Sequence, residues 1–258
     1  MQTTDRSGRR VSPRLPTLCA LTLAFAGAAV QAQESNFGLN FGTKVWVADW
    51  STWFIEENSA NQEFVSQESA KTKAMVIPQL SFRYRDFIGS VSGAVNTTHS
   101  FERFGGPAEF KRREADVNFG YHITPGLAAT IGYKKFDQIT ATGVKIYQVS
   151  GPTLGVSAAS PLSGGFSVYG SLGIGVLSIK GSEDVSADYS LSEVGLGYTL
   201  PLGRFVKAIN FNLGYRTQII KAKGISLSSD TTVPTAPVIK QDARDTTQGF
   251  TLAAVVAF

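Results

Sequence analysis

The chain has 258 residues, 43% of them hydrophobic and one of them cysteine, with 24 Lys+Arg against 20 Asp+Glu. Four of the cations, Arg6, Arg9, Arg10 and Arg14, precede an apolar run from Leu18 to Val30 that ends in the small-x-small pattern Val30-Gln31-Ala32; this predicts a Sec-type signal peptide over residues 1–32, cleaved near Ala32. The mature chain, 33–258, keeps 20 Lys+Arg against 19 Asp+Glu and loses Cys19, which excludes a nucleic-acid partner, a disulfide and a thiolate metal site. No mature stretch approaches 18 consecutive apolar residues, so a helical membrane protein is excluded too.

The mature sequence falls into about ten segments of period-two alternation, separated by connections that are alternately long and polar or short and rich in Pro, Gly and Asp. The first, Phe37 to about Phe54, sets Phe37, Leu39, Phe41, Val45 and Val47 against Gly38, Asn40, Gly42, Lys44 and Trp46. A polar loop, Glu56 to Thr72, leads to the second, Lys73 to Tyr84, with Val76, Pro78, Leu80 and Phe82 opposed to Gln79, Ser81 and Arg83. Arg85-Asp86 turns the chain into the third, Phe87 to Thr98, which runs into a loop around His99 to Pro107. The fourth, Phe110 to Ile123, alternates Val117, Phe119, Tyr121 and Ile123 with Glu114, Asp116, Asn118 and His122.

After Thr124-Pro125-Gly126 comes the fifth, Leu127 to Phe136, with Leu127, Ala129, Ile131 and Tyr133 against Thr130, Gly132 and Lys134. The sixth, Val144 to Val156, loses its phase at Gly151-Pro152, where a bulge is expected. The seventh, Phe166 to Ile179, and the eighth, Ala187 to Leu200, carry Gly173, Gly175, Gly195 and Gly197 on the polar face beside Glu193. The ninth, Phe205 to Ile219, opposes Ile209, Phe211, Leu213 and Tyr215 to Asn212, Arg216 and Gln218; a long loop, Lys221 to Asp245, precedes the last strand, Gln248 to Phe258.

This pattern predicts an all-β fold, a closed antiparallel transmembrane β-barrel of about ten strands, with eight or twelve also compatible. Short turns then lie at the periplasmic end with both chain termini, and long loops lie outside. Aromatics gather where an inner girdle is expected, at Phe37, Tyr84, Phe87, Tyr121, Phe166, Tyr198, Phe205 and Phe258, and Trp50, Trp53 and Tyr189 are assigned to the outer girdle.

The closing segment, Gln248-Gly-Phe-Thr-Leu-Ala-Ala-Val-Val-Ala-Phe258, resembles the C-terminal signature of bacterial outer-membrane β-barrel proteins, a terminal Phe with apolar residues at alternate positions behind it. The resemblance implies that Phe250, Leu252, Val256 and Phe258 form an assembly signal, read by periplasmic chaperones and the barrel-assembly machinery. It also implies a place in the bacterial outer membrane, among its lipid and lipopolysaccharide. The oligomeric state stays open.

The polar face carries Lys44, Arg83, Glu114, Asp116, Lys134, Glu193 and Arg216, nearly balanced in sign. In a barrel this narrow, side chains fill the interior, and open channels belong to larger barrels. The expected function is therefore structural or loop-mediated, with a charge network filling the lumen. A narrow pore for small solutes and a rim enzyme acting on lipid A or peptides are the alternatives, and a secreted soluble β-sandwich is a third. His99 with Ser100 has a superficial likeness to the pairing in barrel-type lipid A deacylases, without the surrounding pattern. No rim pair of aspartates accompanies it as in omptin-type proteases. No catalytic residue, metal ligand or cofactor is assigned, and both histidines are read as bland, His99 solvated in a loop and His122 packed inside the barrel near a turn.

Overall fold

Each alternating segment is a β-strand in the computed structural model, which describes residues 37–103, 106–180 and 185–258; the expected signal peptide lies outside these residues. The strands are β1 (Phe37–Glu57), β2 (Glu63–Ser69), β3 (Lys73–Tyr84), β4 (Phe87–Ser92), β5 (Thr97–Arg103), β6 (Gly106–Thr124), β7 (Leu127–Thr140), β8 (Lys145–Pro161), β9 (Phe166–Ile179), β10 (Ser186–Pro201), β11 (Ala208–Ser228) and β12 (Val238–Ala257). Ten of them pair antiparallel in the order β12-β11-β10-β9-β8-β7-β6-β4-β3-β1, and β12 returns to β1, with Asn40 opposite Ala257 and Ser51 opposite Thr246. Closure removes every unpaired edge from the wall and leaves no second sheet, so the β-sandwich alternative falls away. Glycine makes the closing seam possible at Gly249, where a Cβ would lie 2.0 Å from the Val47 carbonyl oxygen.

The remaining two strands correct the loop assignments. The stretch Glu56 to Thr72 contains β2, which pairs with β1 from Ser51↔Ser69 to Glu57↔Glu63. The stretch around His99 holds β5, paired with β6 from Thr97↔Arg112 to Arg103↔Gly106. The stretch Lys221 to Asp245 is mostly the continuation of β11 and β12, paired out to Ser228↔Val238. These strands rise beyond the apolar band. There water lies outside and apolar side chains turn inward, so the alternation changes its sense and the phase read from the belt no longer marks the strand.

Outward side chains are apolar in a belt at mid-barrel, as at Phe41, Phe119, Ile131, Leu154, Ile174, Leu213 and Leu252, all exposed. A continuous apolar belt of this kind is the surface that a membrane barrel turns to lipid. At the end where the short turns lie, Phe87 meets Tyr121 with ring centroids 5.4 Å apart, and Phe166 meets Tyr198 at 5.0 Å. Phe205, expected in that girdle, instead sits 92% exposed in the turn between β10 and β11. At the opposite end the expected girdle dissolves. Trp50 and Tyr189 are buried inside the barrel, and Trp53 packs against Tyr147 with centroids 5.1 Å apart.

Candidate functional site

The inward side chains of β6 read as a ruler along the lumen: Phe110, Arg112, Glu114, Asp116, Asn118, Gly120 and His122 descend from the hairpin end to the turn end. Each chemical type marks a layer completed by the other strands. Polarity inside is thus graded, aromatic first, then ionic, then small and polar.

The uppermost layer is a lid. The β1–β2 hairpin leans across the mouth, so that Trp53 reaches Tyr147 of β8, the strand opposite β1 in the ten-strand order. Its tip is tied to the β11–β12 hairpin: the Ser228 amide donates to Glu63 at 2.6 Å, the Thr231 amide to the Asn61 carbonyl at 2.8 Å and the Thr231 hydroxyl to Glu57 at 3.0 Å. Trp53 and Val65 of the hairpin pack on a buried apolar cluster of Val185, Ala222, Ile225, Leu227 and Ala243.

Beneath the lid lies an aromatic plug. Trp50, Phe54, Phe101, Phe110, Phe136 and Tyr147 form one buried cluster with Val149, Leu177, Ala187, Tyr189 and Ile220. Trp50 stands edge-on to Phe101 at 5.0 Å and to Phe136 at 6.3 Å, the geometry aromatic quadrupoles favour. Trp50 (β1), Phe101 (β5), Phe136 (β7), Leu177 (β9) and Ile220 (β11) point inward from around the wall, and solvent reaches none of them. No solvent-accessible passage runs along these five side chains.

His99 belongs to the plug and not to a solvated loop. It is fully buried, stacked edge-on to Trp50 at 4.9 Å, with neither ring nitrogen hydrogen-bonded. Burial, and then the charges of Arg112 and Lys73, pull its pKa down to about 4, so the ring is neutral at pH 7.

Below the plug, two carboxylate-centred clusters fill the barrel. Glu114 accepts from Arg112 Nε at 2.7 Å, Lys134 Nζ at 2.7 Å and Gln218 at 3.1 Å, and Lys134 also reaches Asp116 at 3.1 Å. Arg112 donates onward to Asp245 at 3.2 Å, whose other oxygen takes the Trp50 indole N–H at 2.7 Å. Glu193 accepts from Lys44 at 2.8 Å, Arg216 at 3.3 Å, Tyr169 at 3.2 Å and Thr251 at 3.3 Å. Tyr169 reaches it by lying over the register pair Gly195 and Gly214, where a Cβ on either would come within 2.7 Å and 2.5 Å of the phenol. The cations are faced by rings: Arg112 lies 4.5 Å from the Phe136 centroid, Lys134 5.2 Å from Tyr189 and Arg216 5.0 Å from Trp46.

Of the residues expected in this network, Lys44, Glu114, Asp116, Lys134, Glu193 and Arg216 lie in these two clusters. Arg83 does not; it is exposed at the turn end and donates to the Arg85 carbonyl at 2.7 Å. Arg112 and Asp245 were not anticipated, although Arg112 shares the phase of Glu114 and Asp116. With them, four cations and four carboxylates meet among the described residues, so the charge of this network sums to zero.

The turn-end half of the lumen is open. Two cavities of about 270 and 210 Å³ share Ile88, Ser90, Asn118 and Thr130 and so form one polar vestibule, with Asp116 and Arg216 at its inner end and Arg83 and His122 at its mouth. Phe250, Leu252 and Phe258 lie exposed on the outward side of β12, with Val256 partly so.

The sequence pattern of the OmpA-like transmembrane domain matches residues 87–217, half of the chain. No curated protein matches. Among solved structures, the outer membrane protease OmpT from Escherichia coli is 11% identical over 88% of this chain and 99% of its own, with a TM-score of 0.55. An anion-selective porin from Comamonas acidovorans is 14% identical over 81% of this chain and 59% of its own, with a TM-score of 0.31. At such identities the likeness to the protease is one of fold alone.

Proposed function

The chain belongs to the family of OmpA-like transmembrane domains, and from that premise we propose that it serves the bacterial outer membrane as a closed, non-conducting barrel whose work is structural or carried by its outer hairpins. The short turns and the C-terminus then face the periplasm and the hairpins face outside. The observation that carries this reading is the aromatic plug, in which Trp50, Phe101, Phe136, Leu177 and Ile220 have no surface that solvent reaches. The absence of a catalytic role is part of the proposal. His99, the one histidine near the outer end, is fully buried against Trp50 and presents no ring nitrogen to a substrate.

Assembly follows the terminal strand: Phe250, Leu252, Val256 and Phe258 form an outward apolar row on the strand that closes the barrel, and periplasmic chaperones and the barrel-assembly machinery read that row. The narrow-pore alternative draws on the periplasmic vestibule, and it requires the lid and plug to move. Liposome swelling separates the two. Proteoliposomes of the wild type should not swell in small sugars, whereas W50A/F136A, which empties the plug, should admit them. Swelling of the wild type at the rate of an open pore would overturn the closed-barrel reading.

A further inference from the structure

The lipid-facing belt is not uniform. On β6–β9 it holds a groove of about 690 Å³, walled by Val117, Phe119, Tyr133, Leu154 and Ile174 and floored by the backbone of Gly132 and Gly175. A second concavity of about 520 Å³ shares Phe119, Ile131 and Leu154 with it and extends it toward the periplasmic end. The depression therefore follows the direction in which an acyl chain lies.

Two cations stand at its outer end. Lys135 is the next outward residue after Tyr133 on β7, flanked by Ala115 and Ser150, both too short to cover it. Arg113 is the next outward residue beyond Ala115 on β6, and its Nε donates to Asn96 Oδ1 at 3.1 Å. Diagonal neighbours of this kind sit about 7–8 Å apart, a span that one phosphate group bridges. Asp137 lies opposite Arg113 on the same face, but it is buried and taken by Lys145 at 3.2 Å and Gln148 at 2.9 Å, so that among the described residues neither Arg113 nor Lys135 is in an ion pair and the group of three cations and one carboxylate keeps a positive excess. Across the barrel Lys221 is paired with Asp242 and Lys223 with Asp188, and none of these residues borders the groove.

We propose that this groove and its two cations bind a phosphorylated glycolipid of the outer leaflet, of the lipid A class. An acyl chain lies along Phe119 and Leu154, and the sugar phosphate rests between Arg113, whose planar fork can pair two phosphate oxygens, and Lys135, a point charge. A phosphate monoester carries close to two charges at neutral pH, against one on a phospholipid diester, and a cation group with a positive excess favours the former. The inference rests on the outer-membrane placement and is independent of whether the lumen conducts.

The test uses the refolded mature barrel in detergent micelles, titrated with bisphosphorylated lipid A and read by native mass spectrometry. Near-surface cations contribute roughly fivefold each to the binding of anionic lipid, so R113Q/K135Q should bind roughly 25-fold more weakly. K221Q/K223Q, on the side away from the groove, should bind like the wild type, and Leu154→Trp, which fills the groove and keeps the cations, should also bind less. Heat-modifiable migration checks that each variant is folded. Four results would each overturn the proposal: equal binding by the wild type and R113Q/K135Q, equal binding of dephosphorylated lipid A, equal binding of phosphatidylglycerol, or displacement of the lipid by an equal concentration of inorganic phosphate, which marks a free-anion site.

Discussion

Glu114 is the carboxylate on which the upper ionic cluster depends, and replacing it by Gln tests the account of the lumen. The change removes one negative charge from a group of four and leaves the four cations with three partners. Stripping one partner from a buried pair costs about 3–5 kcal/mol, because the orphaned charge stays out of water. Here the loss is cushioned: Lys134 keeps Asp116 at 3.1 Å and Arg112 keeps Asp245 at 3.2 Å. The lower end, about 3 kcal/mol, is therefore expected. Total stabilities run about 5–15 kcal/mol, so this is a large fraction. Urea titration in lipid vesicles, followed by tryptophan fluorescence, reads it directly, since Trp50 is hydrogen-bonded to Asp245 and Asp245 to Arg112. The double variant E114Q/K134M removes one charge of each sign and leaves Asp116, already 21% exposed, to be solvated from the vestibule. It should recover at least half of the loss. A cost below about 1 kcal/mol for E114Q, or a double variant whose loss is the plain sum of the two single ones, would refute the claim that these charges are mutually dependent.

Leu213→Arg should cost roughly 2–4 kcal/mol in vesicle folding titrations while the adjacent Asn212→Arg costs little, because Leu213 faces lipid and Asn212 the lumen; a reversed order would mean the phase of β11 is wrong. His99 makes stability depend on pH in a defined window. Its ring takes up a proton near pH 6.5 when unfolded but only near 4 when buried, so the unfolded chain is favoured as the pH falls from 6.5 to 4. The loss reaches on the order of 3 kcal/mol below that window. His99→Phe should flatten this part of the stability profile, and identical wild-type and variant profiles would contradict it. Deleting Phe258 should lower the amount of barrel in the outer membrane far more than the amount exported, and equal outer-membrane levels would contradict the assembly role of the terminal strand.

The ten-stranded wall was legible because lipid on one side and a polar lumen on the other impose opposite demands on alternate residues, as in Phe37, Leu39 and Phe41 against Gly38, Asn40 and Gly42. Above the belt the demands invert, since water lies outside and the plug inside. On β1 the outward row passes from Val47 to Asp49 while the inward row passes from Lys44 to Trp46 and Trp50. Reading apolar as outward throughout therefore sent Trp50 and Tyr189 to a girdle and made loops of β2, β5 and the outer ends of β11 and β12. Asp245 was hidden in the last of these stretches. Arg112 lay inside the basic triplet Lys111-Arg112-Arg113, where only the phase set by Glu114 and Asp116 separates the inward residue from its outward neighbours. Arg83 shared the inward phase but sits too near the turn end to join the network, and it donates to the Arg85 carbonyl instead. Phase tells which way a side chain points, and height along the barrel decides what it meets.

The proposed closure of the lumen is most directly tested by single-channel recording of the purified wild-type barrel in planar bilayers. The account predicts an unbroken baseline at moderate voltage, and openings only after the plug is emptied by W50A/F136A. Steady, frequent openings of the wild type would contradict it.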